Sequence, residues 1–309
     1  MTTPLRQTDI SSGFRATGLG AGDVVLVHSA MRTFGAIEDG ARSVVDALLE
    51  VLGPTGTLVV PTFTFAHEVE DDPVIQPSTD RSEMGIITET ARLRPEAVRS
   101  VAFRHSLAAI GPRARVITEV DPSLSPFDLR ASFGVMLGLN AQVLLLGLTY
   151  ASSTSHHFAE LVCDVPYRQT LPLDVKVRRA SGEVTQQAMT DYQPKSEDGS
   201  YYGSRGCDFN RLGKMLEDSG RVGTAFVGNC AGRRFSMRDL VDLARVEVAR
   251  DHNVFRTADG QPEKTTALDF GQAVLSPTLI DGAGRPHCVE WCVKDLDKLQ
   301  MPEEESVSE

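Results

Sequence analysis

His157 and Glu160 stand three residues apart in Ser155-His156-His157-Phe158-Ala159-Glu160, a stretch that reads as the start of a helix. Residues at i and i+3 share a helical face, so imidazole and carboxylate can meet or converge on one substrate. A carboxylate held against a histidine raises its basicity and fixes its tautomer, which suits a general base working near neutral pH. The same spacing also describes a surface pair with no chemical role, and the residues alone leave both readings open. The neighbouring His156 points about 100 degrees away around the helix. A metal on His156, His157 and Glu160 would need more ligands, and nothing in the spacing of His105 or Cys163 requires them to join. No metal is expected.

His28-Ser29-Ala30-Met31-Arg32 offers a second kind of chemistry. It follows a short apolar run directly, and backbone N–H groups freed at a strand-to-helix turn make an anion site. Ser29 and Arg32 would add a hydroxyl and a positive charge, a combination suited to a pyrophosphate. The loop carries neither the Gly-rich dinucleotide fingerprint nor the P-loop pattern. The chain lacks the Gly-x-Ser-x-Gly elbow of a serine hydrolase. Cys163, six residues past His157 among apolar neighbours, reads as a buried structural thiol.

The elements that must position these groups follow from periodicity. Asp23 to Val27 (DVVLV) is a β-branched run of the buried parallel type. Val44, Val45, Ala47, Leu48, Val51 and Leu52 keep a 3.6-residue period up to Gly53-Pro54, and Thr57 to Val60 is a second strand stopped by Pro61. Strand, helix, strand is a βαβ unit with a right-handed crossover. Glu68 to Ser82, holding Glu70, Asp71 and Asp72, is a long acidic loop of the kind that is often functional. A helix is expected over residues 85–93, and Pro112 argues against one continuous element over 108–116.

Gln142 to Leu148 is the clearest buried strand, running into Ser/Thr-rich Thr149 to Ser155 and then a helix from His156 to Cys163. Ligand sites in open α/β sheets lie beyond the carboxyl ends of such strands. Farther on, residues 174–178 and 184–189 form a β-hairpin pattern, 196–207 are polar and Gly-rich, and 224–227 form a strand. Ser236, with Asp239 three residues on, opens a helix reaching Arg250. The expected fold class is α/β: a largely parallel central sheet flanked by helices, with a smaller β-containing C-terminal portion. One domain is expected over residues 1–300, followed by an acidic tail over 301–309.

The 309 residues carry a net charge of −11, with 41% apolar and 24% charged residues, as in an ordinary soluble globular protein. That field repels nucleic acid and anionic membranes and favours a cationic small molecule. No apolar run reaches the roughly 18 residues of a membrane span, and the N-terminus lacks the apolar core of a secretory signal. The five scattered cysteines agree with a reducing compartment, so the cytoplasm is expected. His287-Cys288 and Cys292 lack the second close ligand pair usual at zinc sites. A homodimer is a reasonable expectation for such a chain.

Several motifs together resemble the aminoglycoside 3-N-acetyltransferase family. They are Leu26-Val27-His28-Ser29-Ala30-Met31-Arg32 with Gly35; Gly56 to Thr62; Met84-Gly85; Arg99-Ser100 with His105-Ser106-Leu107-Ala108-Ala109-Ile110-Gly111; Ser125-Pro126-Phe127; Leu144 to Gly147; and Thr154 to Glu160. Their order and spacing agree over residues 20–170. The resemblance implies a single α/β unit, distinct from the GNAT fold, in which acetyl passes directly from acetyl-CoA to an amine in a ternary complex. It implies that His157 takes the amine's proton and Glu160 supports it. His28, Ser29, Ala30, Met31 and Arg32 would lie at the CoA pyrophosphate, with His105 and Ser106 also on the CoA side.

Residues 171–300 would then help form the acceptor pocket, and Glu70, Asp71, Asp72 and Thr154 are the expected substrate contacts. The oxyanion would need donors, for which Ser29 and Thr154 are candidates. The chain departs from the family where a His-Pro pair is usual, at Ala102-Phe103, and at Asp121-Pro122-Ser123-Leu124, where a glycine-containing turn is usual. An acceptor other than an aminoglycoside, in natural-product biosynthesis, is the alternative within this class. A metal-dependent hydrolase and a binding protein without turnover are the readings outside it.

Overall fold

The computed structural model describes residues 3–68, 70, 72–195 and 207–256. Its strands are β1 (Val24–Ser29), β2 (Thr57–Pro61), β3 (Val74–Ile75), β4 (Val98–Arg99), β5 (Leu107–Ile110), β6 (Gln142–Leu146), β7 (Arg168–Arg178), β8 (Val184–Pro194), β9 (Gly223–Val227) and β10 (Cys230–Ser236). Its helices are α1 (Gln7–Ala16), α2 (Ala41–Leu52), α3 (Ile86–Arg92), α4 (Ala114–Thr118), α5 (Ser132–Gly138), α6 (Ser155–Val162), α7 (Phe209–Asp218) and α8 (Met237–Arg250).

The expected βαβ unit is present. β1 and β2 pair in parallel with Val24 opposite Thr57, and α2 crosses between them, ending at Gly53 with φ of 62°. β6 pairs in parallel with the other edge of β1, His28 opposite Leu145 and Ser29 opposite Leu146. The seven-stranded sheet runs β4-β5-β2-β1-β6-β10-β9, and a three-stranded sheet runs β3-β7-β8. The α/β class is as expected, but the parallel character expected for most of the sheet is confined to β2, β1 and β6. β5 and β4 on one flank, and β10 and β9 on the other, are antiparallel. Antiparallel neighbours need no crossover helix, so short returns join β4 to β5 and β9 to β10.

Both faces of the central strands are covered, which is why they read as unbroken apolar runs. Val25, Val27, Leu58, Val60, Leu144 and Leu146 pack with Phe14, Val44, Leu48 and Ile87 of α1, α2 and α3. The alternate residues Leu26, Val59, Val143 and Leu145 pack with Phe133, Phe158, Leu240 and Val241 of α5, α6 and α8.

The hairpin expected over 174–189 is present and longer, with eleven residues in each strand. Part of the acidic loop is ordered as β3, paired in parallel with β7. Pro112 does separate two elements, β5 and α4. The helix at Ser236 begins as expected, the Ser236 hydroxyl accepting from the Arg238 and Asp239 amides. Among the described residues, no helix is long and apolar enough to cross a membrane. Asp71, residues 196–206 and residues 257–309, with His287, Cys288, Cys292 and the acidic tail, lie outside the described residues.

Candidate active site

The carboxyl ends of the three parallel strands share one edge of the sheet. β1 ends there in His28-Ser29, β2 gives way to Thr62, and β6 to Gly147. Gly147 has φ of +67°, and a Cβ on it would stand 2.0 Å from Thr33 Oγ1. Only glycine lets the chain turn there against the loop after β1. The following Tyr150–Ser152 turn docks on α7, where the Tyr150 hydroxyl donates to Glu217 Oε1 at 3.0 Å and the Ala151 amide to Asn210 Oδ1 at 3.3 Å. The Tyr150 ring fills the space that a Cβ on Gly213 would need, 2.1 Å away. That dock fixes where α6 begins. Thr154, just before α6, places Oγ1 3.2 Å from His28 Nε2, joining the loop after β6 to the end of β1.

On α6, His157 Nδ1 lies 2.7 Å from Glu160 Oε2. The same oxygen is 2.6 Å from Arg168 Nε, at the start of β7. Arg168 Nη2 also donates to Cys207 Sγ at 3.4 Å. Glu160 is 0% and the Arg168 side chain 5% exposed, while His157 keeps 15%. The pair is therefore no surface i,i+3 contact. Phe209 meets the His157 ring edge-to-face at 4.7 Å, and Phe127 stands 6.1 Å away.

Burial, reinforced by the Arg168 and Arg104 charges, pushes the His157 pKa well below the ordinary imidazole value. The ring is thus neutral at neutral pH with a lone pair available, but it is less basic than a free imidazole: burial and the two arginines outweigh the raised basicity expected from the Glu160 partner. Burial pushes the Glu160 carboxyl up to about 7, against the opposing pull of Arg168.

His105 comes close through an aromatic bridge, its ring 4.8 Å from Phe63 and 5.0 Å from Phe127, and burial lowers its pKa strongly. Ser106 is buried on the β2 side, donating to the Thr62 carbonyl at 2.7 Å and accepting from Arg99 Nη2 at 3.2 Å. Arg99 also bonds the Thr62, Pro77 and Asp80 carbonyls, so it ties the acidic loop to the sheet. Ser29, Ala30 and Met31 are half-buried and Arg32 is exposed on the short turn after β1.

In the acidic loop, Glu70 Oε2 is 3.2 Å from His67 Nδ1, and Asp72 pairs with Lys176 of β7 at 2.5 Å. Beyond these contacts both carboxylates stay substantially exposed, Glu70 at 49% and Asp72 at 69%. His156, with 0% exposure, is a core residue stacked on Phe209 at 5.1 Å.

Sequence reasoning missed Arg168, Cys207 and the ion-paired group of Arg104, Glu68 and Asp191. Arg104 Nη2 donates to Asp191 Oδ2 at 2.8 Å, and its Nε lies 3.1 Å from Glu68 Oε1. These residues come from distant elements, and isolated charges in the sequence gave no spacing signal. His157, Glu160 and Cys207 place one ligand-type atom each within 4.8 Å of one another. The Arg168 guanidinium already supplies the positive charge that this carboxylate faces, so the cluster is poorly suited to a metal ion.

The buried His-Glu pair thus stands at the carboxyl edge of the parallel strands of a mixed α/β sheet. Residues 26–248 match the family described as Aminoglycoside 3-N-acetyltransferase, and the chain belongs to that family. It is 30% identical over 254 residues to aminoglycoside N(3)-acetyltransferase IV of a Salmonella species, covering 81% of this chain and 90% of the relative. It is 28% identical to aminoglycoside N(3)-acetyltransferase VII of Streptomyces paromomycinus, covering 78% and 90%. The crystal structure of aminoglycoside acetyltransferase AAC(3)-IVa, an apoenzyme, superposes with a TM-score of 0.66 at 27% identity, covering 82% and 92%. A histidine-to-alanine mutant of that enzyme is described in complex with a gentamicin and with apramycin.

Proposed function

We propose that the protein transfers acetyl from acetyl-CoA to an amine of an aminoglycoside, by direct attack in a ternary complex with His157 as general base. The observation that carries this reading is the neutral, buried His157 ring with Nδ1 on Glu160 and 15% of the side chain still open. Among the described residues none makes a hydrogen bond to Nε2. Nε2 is then the nitrogen left to take a proton.

An ammonium has no lone pair, so the substrate amine must lose a proton before or during attack on the thioester. The tetrahedral oxyanion requires donors, a role open to Ser29 or Thr154 at the same strand edge. The turn over His28, Ser29, Ala30, Met31 and Arg32 would receive the CoA pyrophosphate, with His105 and Ser106 on the CoA side. Acetyl-CoA acts as co-substrate, and no step needs a metal. The gentamicin and apramycin complexes of the AAC(3)-IVa mutant support a polycationic acceptor, as does the net charge of −11. Glu70, Asp71, Asp72 and Thr154 are the acceptor contacts of this reading, with residues 171–300 shaping the pocket. The protein would act in the cytoplasm, as a homodimer or alone.

Initial rates with acetyl-CoA and aminoglycosides, varied together, test the reading. Intersecting double-reciprocal lines are expected only with acceptors that keep a free 3-amino group. Parallel lines would indicate an acetyl-enzyme and remove direct transfer. Equal rates with 3-amino-blocked acceptors would remove the regiochemistry.

A further inference from the structure

One oxygen, Glu160 Oε2, receives two partners: His157 Nδ1 at 2.7 Å and Arg168 Nε at 2.6 Å. A buried carboxyl beside an imidazole can make that bond in two directions. As a carboxylate it accepts from Nδ1–H, which leaves the lone pair on Nε2. As a carboxylic acid it donates to Nδ1, which puts the ring proton on Nε2 and removes the base from the substrate side. Nothing in the α6 spacing chooses between them.

Burial alone favours the acid, since Glu160 is 0% exposed. Against this stands a guanidinium that does not titrate in the working range. Arg168 is itself held: Cys207 Sγ accepts from Nη2 at 3.4 Å, and the Tyr192 ring lies 5.4 Å from the guanidinium carbon. The other charged or titratable groups acting on Glu160 are Tyr167 and Arg256, the latter 4.9 Å over the Tyr167 ring. Cys163, the C-cap of α6 three positions after Glu160, is a thiol that burial keeps protonated. Around His157, the charge comes from Arg168 and Arg104, with the neutral imidazoles His105 and His156 alongside.

We propose that Arg168 is a positioning residue that sets the direction of the His157–Glu160 hydrogen bond, keeping Glu160 an acceptor and the His157 lone pair on Nε2. Arg168 touches no reacting atom; it acts through Glu160. The inference rests on His157 being the base, yet it concerns the resting tautomer and can be measured without an acceptor.

Nitrogen-15 spectra of histidine-labelled protein at pH 8, where the wild-type Glu160 carboxyl, pushed up to about 7, is ionised, read it, with His157→Ala used to assign the resonance. Wild type is expected to show a protonated Nδ1 and an unprotonated Nε2. Arg168→Gln and Arg168→Met should move the proton to Nε2, and Arg168→Lys should restore the wild-type pattern largely. The two neutral variants should lose at least about 10-fold in kcat, up to the roughly 10⁴-fold known for a wrong tautomer, with KM for acetyl-CoA little changed. Either neutral variant suffices if the other fails to fold. A wild-type tautomer in the neutral variants would overturn the inference, and so would full kcat in them where His157→Ala has lost turnover. If the tautomer follows Arg168 but His157→Ala retains full turnover, the inference stands and the general-base reading fails instead.

Discussion

His156 gives the prediction that follows most directly from packing. Its ring is wholly buried among Tyr150, Phe209, Phe235 and Phe255, and neither nitrogen has a hydrogen-bond partner among the described residues. Burial, with His157 adjacent, pushes its pKa from 6.5 to about 3. The folded state therefore keeps this ring neutral while the unfolded chain takes up a proton as pH falls through 6.5. A depressed histidine pKa makes its contribution complete above pH 6.5 and erodes it at lower pH, until protonation of the folded form near 3.

Each pH unit in that window costs about 1.4 kcal/mol, so lowering the pH from 7 to 5 removes about 2 kcal/mol through this residue. His156→Leu, close in volume, abolishes the linkage. Any packing cost of the leucine is the same at both pH values and cancels in the difference. Urea unfolding of both proteins at pH 7 and pH 5 should show the variant losing about 2 kcal/mol less than wild type. Equal losses would mean that His156 is hydrated or hydrogen-bonded in the native state, and the reasoning would fail.

Three further outcomes are expected. His28, whose pKa burial lowers to about 4, should add a parallel acid sensitivity between pH 6.5 and 4; His28→Gln should flatten the urea midpoint across that range. Arg104→Met should destabilise by about 3–5 kcal/mol, because Glu68 and Asp191 lose their buried counter-charge; thermal melting measures it. Gly213→Ala would drive a methyl into the Tyr150 ring and loosen the turn that leads into α6. A loss of about 1–3 kcal/mol in urea unfolding, together with a lower kcat, is the expected result.

Periodicity carried the central βαβ unit, β6 and α8, because their apolar patterns are long and their ends are marked by Gly53, Ser236 and Asp239. It did not reveal β10, where Cys230 to Ser236 contains Arg233 and Arg234; Arg233 is buried in an ion pair with Glu217 of α7, 2.9 Å away. Nor did it reveal α1, whose side chains on the buried face, Ile10 and Phe14, are its only large apolar residues. The antiparallel flanks were hidden for a related reason, since strand direction depends on partners far along the chain. At the site, the i,i+3 relation of His157 and Glu160 was visible in the helix pattern. Arg168 was not, because its role arises only when β7 returns beside α6. Glu70 and Asp72 were legible as an acidic loop, but the structure shows each occupied by His67 or Lys176.

The central claim is that His157 takes the proton from an aminoglycoside amine as acetyl leaves CoA. Its most direct test is thiol release from acetyl-CoA with a gentamicin-type acceptor, comparing wild type with His157→Ala and confirming the acetylated product by mass. The account predicts a drop in kcat of about 10²-fold or more for a variant that still folds and binds both substrates. Turnover near the wild-type rate would take His157 out of the mechanism.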